Sequence, residues 1–445
     1  MNEPQTDKKN IILLTIDCLR ADHLHCMGYQ KDISPNLDTL GENGVIFTNA
    51  FSNGPYTPYS IPSFITSTMP PIEKKPQETI ASYLKKNGYA TAAFNPNPIV
   101  FSTTSGGGMI NKGFDKFDLM LSAVKKYNLT IGAIRQYAMR DLRGFLGENN
   151  FIYKTIYLLY DLAIKKFSNI FCPKEHLIIP NAEQINQRAL EWVKEQKSKF
   201  FLWIHYMDVH EPYAPPGYEN EKEMLYLITK YRDFPNMLSK EEIKKLIDLY
   251  DLTIKYTDKE IQKFLQKLKE LNKLENSIII ISADHGDAFA EHKVLGHGDK
   301  FLEGELYDEL IHVPLIINGS EKKGTIIEKP VQLIDLAPTI CELVNIPIPP
   351  VFFGKNMFTS NDKGIIINSA GPVAYRTREY KIIINKNKEN ELYDLKNDPG
   401  EKHNIYNINK KMKNILESEM INLLSYYNKK RKLLKVGSSL KKHVP

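Results

Sequence analysis

Three continuous apolar runs, Asn10–Ile16 (NIILLTI), Phe200–Tyr206 (FFLWIHY) and Ile278–Ile281 (IIII), each stop within three residues of a carboxylate. None shows the alternation of a half-exposed strand, so each suits a strand covered on both faces. Helices on both sides of a mostly parallel sheet provide that cover. The carboxyl ends of such strands share one edge, where open α/β sheets bind their ligands. Asp17, Asp208 with His210, and Asp284 with His285 can therefore meet there despite their separation in the chain. His297 follows His285 by twelve residues in Gly-His-Gly, on a loop. Gathered carboxylates repel and are costly to desolvate, and a cation among carboxylates and imidazoles is the simplest reason to collect them.

Bulk properties narrow the class. At 445 residues, 42% apolar and 25% charged, the chain is globular and long enough for two or three domains. No apolar run approaches the roughly 20 residues of a membrane span. The opening MNEPQTDKKN has no signal-peptide core, so a cytoplasmic location is expected. Cys18, Cys26, Cys172 and Cys341 are scattered without a CxxC pair, which argues against disulfides or a cysteine zinc site. The net charge of +6 gathers partly in a basic tail beyond Glu419, with Lys429, Lys430, Arg431 and Lys432. That tail is expected to be solvated, with peripheral contact to anionic lipid as its sharper alternative; no nucleic-acid partner is expected.

The chain divides by texture. Further strands are expected at Val45–Ser52, Tyr89–Phe94 and Val313–Ile317, and helices at Thr79–Asn87, Ala182–Glu195 and Glu241–Leu271. Residues 119–180 are rich in Tyr, Leu and Lys at helical spacing and read as two or three inserted helices. These pack on the main domain or present a lid or membrane-surface face. From about Pro347, short strand-and-turn texture marks a small antiparallel sheet, closed by a helix near Lys410–Tyr427. The segment NGPYTPYSIPS reads as a rigid turn offering Thr57, Tyr59, Ser60 and Ser63 as hydroxyl nucleophiles.

With these segments in order, the chain resembles the sulfatase family of the alkaline phosphatase superfamily. The resemblance rests on NIILLTIDCLRADHLHCMGY, SPNLDTLGENGVIFTNAFS, GFDKFD, HYMDVHEPYAPP, SADHGD, HVPLII, DLAPTICELVNI and YRTREYKIII with ELYDLKNDPGEKHNI, spanning about Asn10 to Asn404. It implies that Asp17, Asp284 and His285 are metal ligands and that His210 contacts the transferred group. His297 resembles a histidine of related phosphoethanolamine transferases that serves the phosphoryl group or a second metal. Arg20, Asn95, His205 and Asp208 are the expected substrate contacts.

Three departures shape the expectation. Sulfatases open with two adjacent aspartates, and here the second is Cys18. Their nucleophile motif, Cys- or Ser-x-Pro-Ser-Arg, becomes formylglycine at its first residue. Ser60-Ile61-Pro62-Ser63-Phe64 fits it except for the arginine, whereas an alignment that keeps loop length puts Thr57 at the nucleophile and is preferred. Asn95-Pro96-Asn97 stands near the place of a family lysine, so Asn95 or Asn97 is a replacement donor. With Asp, Asp, His and a Thr oxygen, the site suits Zn²⁺ or Mn²⁺ better than Ca²⁺, which wants six to eight oxygens. One divalent ion is expected (Zn²⁺, Mn²⁺ or Ca²⁺), with a second as the alternative.

The expected fold is α/β, alkaline phosphatase-like. A large mostly parallel sheet between helices spans 8–347 with the 119–180 insertion, a small C-terminal antiparallel sheet-plus-helix domain spans 348–428, and a basic tail spans 429–445. The expected function is metal-dependent hydrolysis of sulfate or phosphate esters of a small molecule, glycan or lipid through a hydroxyl nucleophile. The competing expectations are a phosphoethanolamine- or phosphoglycerol-type transferase and a non-catalytic binding protein.

Overall fold

A computed structural model describes residues 9–71, 78–97, 110–120, 151–171, 179–233, 237–297, 305–369 and 371–434. Its main sheet has eight strands: β1 (Asn10–Ile16), β2 (Val45–Phe47), β4 (Ala90–Phe94), β5 (Lys116–Asp118), β6 (Phe200–Tyr206), β7 (Ser277–Ala283), β9 (Leu315–Asn318) and β10 (Thr325–Ile327). They lie in the order β10-β2-β9-β7-β1-β6-β4-β5. The block β7-β1-β6-β4-β5 is parallel throughout, and β9 runs antiparallel to both β7 and β2. Every residue of β1, β6 and β7 is buried, as their unbroken apolar sequences require.

Helices α1 (Pro35–Glu42), α2 (Thr57–Thr66), α3 (Ile80–Lys86), α4 (Phe151–Phe171), α5 (Ala182–Glu195), α6 (Glu221–Asp233) and α7 (Lys240–Glu270) lie along the chain between these strands. Capping boxes start α3, α5 and α7 at Thr79, Asn181 and Ser239. A short sheet joins β3 (Ala50–Phe51) and β8 (His312–Val313) to β11 (Val331–Gln332). Beyond α8 (Leu336–Leu343), strands β12 (Gly364–Asn368), β13 (Val373–Thr377), β14 (Tyr380–Ile384) and β15 (Glu391–Asp394) form an antiparallel sheet. Helix α9 (Lys410–Leu434) packs on it through Leu416, Met420, Leu424 and Tyr427.

Four local expectations change. Val45–Ser52 is two short strands in two sheets, and Val313–Ile317 is divided at Pro314, which lacks the N–H a ladder needs. The proline-rich stretch after Tyr56 is helix α2. Pro58 sits in its first turn, where a missing N–H costs nothing. Of the 119–180 insertion, helix α4 is described and residues 121–150 and 172–178, including Cys172, lie outside the described residues. The tail is not simply solvated: α9 continues to Leu434, and Arg431 is buried, donating to the carbonyls of Met69 and Pro71 just beyond α2. Residues 435–445 lie outside the described residues. No described helix is long and apolar enough to cross a membrane.

Candidate active site

The parallel register sets the site. Ile16 of β1 aligns with Tyr206 of β6 and with Ala283 of β7, so Asp17, Met207 and Asp284 leave the sheet at one level. Asp17, Asp284 and His285 are fully buried there. Helix α2 points its first residue at the same edge, and Thr57 Oγ1 donates to Asp284 Oδ2 at 2.9 Å and lies 3.2 Å from His285 Nε2. His285 Nε2 lies 3.5 Å from Asp284 Oδ2 and 3.6 Å from Asp17 Oδ1. The ring's other nitrogen donates to the carbonyl of Gly286 at 2.8 Å, which leaves Nε2 as the inward lone pair. Gly286 has no room for a side chain, since a Cβ would stand 2.1 Å from the carbonyl oxygen of Glu309. Gly286→Ala is expected to lower stability by about 1–3 kcal/mol in denaturant unfolding, because backbone must shift next to His285.

These spacings fit a bound cation. Ligands about 2.1 Å from a tetrahedral ion lie roughly 3.4 Å from one another. Thr57 lies 2.9 and 3.2 Å from Asp284 and His285, His285 lies 3.5 and 3.6 Å from Asp284 and Asp17, and ligand atoms of Asp17, Asp284 and His285 all fall within 4.8 Å of one another. Among the described residues no lysine or arginine forms an ion pair with Asp17 or Asp284. Burial alone would raise the carboxyl of Asp17, but His210, His205 and His285 together hold it well below its ordinary value.

The remaining expected residues fall into three groups. His210 and His297 stand at the mouth of the cluster with ring centroids 5.1 Å apart, and His297 is 4.7 Å from His285. His297 Nδ1 donates to Asp287 Oδ1 at 3.3 Å. Although burial opposes its charge, that bond and the charge of Asp287 bring His297 up to about 9. Ser60 is one turn into α2 and its hydroxyl is spent on the carbonyl of Asp284 at 2.6 Å, so it supports the strand end instead of facing the cluster. Asn95 is buried beside the edge, and among the described residues its Nδ2 has no hydrogen-bond partner; Asn97 instead donates to Asp17 Oδ2 at 3.0 Å.

The other expected substrate contacts, Arg20, His205 and Asp208, differ in how their side chains are occupied. Arg20 is buried and its guanidinium is occupied by Asp22 at 2.8 and 2.9 Å, Glu291 at 2.5 Å and the carbonyl of Asp287 at 3.1 Å. It ties the loop after β7 to the loop after β1. His205 is fully buried between Thr15 Oγ1 at 2.8 Å and Asp17 Oδ2 at 3.1 Å, so it orients a carboxylate from behind. Asp208 accepts from the Ala182 N–H at 3.1 Å, and its Oδ2 has no hydrogen-bond partner among the described residues. With His210, Glu211, Asn181 and Gln184 it lines a cleft of about 480 Å³ next to the cluster.

Burial pushes the Asp208 carboxyl up to about 7, against the pull of the Ala182 N–H. A carboxyl raised on folding holds its proton in the native state after the unfolded chain has lost it, so its effect on stability worsens as pH rises from about 4 to about 7. Asp208→Asn keeps the acceptor and removes that titration. Its stability relative to the wild type is expected to improve between pH 4 and 8 by up to roughly 4 kcal/mol, read by denaturant unfolding at both ends. An unchanged difference across that range would contradict the assignment.

One site residue, Asp287, escaped the sequence reading, and a second, Cys18, is legible there only as a departure from the family's aspartate pair. Asp287 accepts from Tyr213 Oη at 2.5 Å and anchors His297; its place three residues after Asp284 was the available signal. Cys18 is fully buried with Sγ 3.2 Å from Asp17 Oδ1 and 3.6 Å from His297 Nδ1. Its φ of 63° is left-handed, which costs a non-glycine residue about 1 kcal/mol. Burial first, then the charges of Asp287, Asp17 and Asp284, push its thiol well above the ordinary range.

The layered α/β architecture is of the alkaline phosphatase-like fold class. Within it the chain belongs to the sulfatase family, whose family model, described as Sulfatase, matches residues 9–346. The uncharacterized sulfatase YidJ of Escherichia coli (strain K12) is 25% identical over 266 residues, 50% of this chain and 51% of that protein, so the match spans about half of that relative. An arylsulfatase of Clostridium perfringens is 24% identical over 90% of both chains. The crystal structure of a phosphonate monoester hydrolase of Agrobacterium radiobacter superposes with a TM-score of 0.69 at 16% identity, covering 94% of this chain and 96% of that one.

Proposed function

We propose that the chain is a divalent-metal-dependent ester hydrolase that transfers a sulfuryl or phosphoryl-type group to Thr57 and then to water. The observation that carries this reading is the placement of Thr57 Oγ1 at 2.9 Å from Asp284 and 3.2 Å from His285, within a ring of buried ligand atoms. Relatives in this family are named sulfatases, and the superposed hydrolase is named for phosphonate monoesters, which supports either group as the electrophile.

Asp17, Asp284, His285 and Thr57 would hold the ion. When bound, it would polarise the non-bridging oxygens of the ester and lower the pKa of a ligated hydroxyl. Thr57 stands at the first turn of α2, where the helix dipole favours a developing alkoxide. Its hydroxyl proton, directed at Asp284 Oδ2, is lost to solvent, and Oγ1 attacks sulfur or phosphorus in line as the bond to the leaving oxygen breaks, leaving a covalent ester on the enzyme. His297, drawn toward its protonated form by Asp287, carries charge to the mouth of the site. It and His210 can stabilise the transferred group or protonate the leaving oxygen, which departs into the cleft lined by His210. The threonine ester lacks the elimination route open to a formylglycine hydrate, so water must hydrolyse it.

The test is a panel of aryl sulfates, phosphomonoesters, phosphodiesters and phosphonate monoesters, assayed with Zn²⁺, Mn²⁺ and Ca²⁺ in turn. Hydrolysis of at least one class, dependent on added metal, is expected. Metal-independent turnover, or no turnover with any class and ion, would overturn the reading.

A further inference from the structure

The cleft of about 480 Å³ beside the cluster carries charge of one sign. Asp208, Glu211 and Glu221 bring three carboxyls to its wall, and among the described residues neither lysine nor arginine lines it. His210 is the one basic side chain of that lining, and it stands at the end shared with the cluster, its ring 5.1 Å from that of His297. His210 Nδ1 donates to the Glu211 carbonyl at 2.6 Å, so its other nitrogen is the one left for a ligand. Asp208 takes one backbone N–H, from Ala182 at 3.1 Å, and its Oδ2 has no hydrogen-bond partner among the described residues. Burial first, then the charge of Glu260, hold this carboxyl up at about 7 against the pull of that N–H. The site therefore offers imidazoles at one end and carboxyls, set among apolar side chains such as Met207 and Met224, at the other.

An anionic leaving group would meet these carboxylates with no lysine or arginine to offset them, which weakens its transition state against a cationic one. A polyol asks for donors as well as acceptors, and a carboxylate only accepts. An ammonium donates up to three hydrogen bonds, accepts none and carries the opposite charge. We propose that this cleft is a leaving-group subsite selective for an alcohol that bears an ammonium, with Glu211 and Glu221 as its specificity-determining residues. The inference rests on the hydrolase reading and names the substrate class of that same site. The anionic ester group lies at the cluster, and the cation of the departing alcohol lies in the cleft. The two ends of the substrate meet opposite charges, so the bond that breaks is turned toward the cleft.

The test uses three esters of whichever class the wild type hydrolyses, with leaving phenols that differ in one substituent: 4-(aminomethyl)phenyl, 4-(hydroxymethyl)phenyl and 4-(carboxymethyl)phenyl. At neutral pH and low salt, kcat/KM is expected to be at least about 10-fold higher for the ammonium ester than for the carboxylate ester, with the neutral ester between them. Added salt should narrow that ratio in the wild type. Glu211→Gln combined with Glu221→Gln should narrow it at least about 3-fold at low salt. Thermal melting checks that the double variant folds, and the salt dependence of the wild type decides the question if it does not. Equal rates, a faster neutral or carboxylate ester, or a ratio that neither salt nor the double variant changes overturns the subsite and leaves the proposed hydrolase standing. No turnover of any ester with any ion overturns both.

Discussion

Replacing Thr57 with alanine is expected to lower kcat/KM by at least about 10³-fold on every ester the enzyme turns over, as loss of a covalent nucleophile does. Metal binding should weaken less, because Asp17, Asp284 and His285 remain. The melting temperature should move little: Thr57 is one polar group at a helix start, and Pro58 still sets the first turn. Ser60→Ala makes the contrast. Its hydroxyl donates to the Asp284 carbonyl, so its loss should cost about 1 kcal/mol of stability and much less activity than Thr57. Equal loss in both variants would mean that α2 acts through its position and not through one oxygen.

Removing the metal, or its central carboxylate, should be the second large effect. Chelation is expected to abolish turnover, and Zn²⁺ or Mn²⁺ to restore it. A ligand present at 100 times its Kd adds about 2.7 kcal/mol to the folded state, so saturating metal should raise the melting temperature by a few degrees. Asp284→Asn is expected to cancel most of that shift and lower activity by at least about 10²-fold. Asp284 meets both Thr57 at 2.9 Å and His285 at 3.5 Å, so one substitution removes a ligand and frees the nucleophile. Retained metal-dependent stabilisation in Asp284→Asn would move the site elsewhere.

What was legible in the residues follows a physical pattern. Strands β1 and β6 were readable to the residue, and β7 (Ser277–Ala283) through its Ile278–Ile281 run, because burial on both faces leaves unbroken apolar runs, and the parallel topology then fixes which ends share an edge. Asp17, Asp284 and His285 followed from that. Helix α2 was read as a turn because three prolines mask a helix whose first turn tolerates one of them. Arg20 and His205 carried charge at the right edge, but whether a side chain faces the cleft or braces a neighbour depends on packing partners from distant loops, such as Glu291 for Arg20. Cys18 was legible only as a departure from the family's second aspartate, because its neighbours His285 and His297 are dispersed over the chain and leave no spacing motif. Arg431 lay in what read as a basic tail, and its burial depends on carbonyls at Met69 and Pro71.

The most direct test of the central claim is acid quench during turnover, followed by peptide mass spectrometry. The account predicts that the peptide containing Thr57 gains the mass of one sulfuryl or phosphoryl group, that the fragment ions place it on Thr57, and that Thr57→Ala never shows it. A modified group on Ser60, or turnover at full rate with no mass added to this peptide, would contradict it.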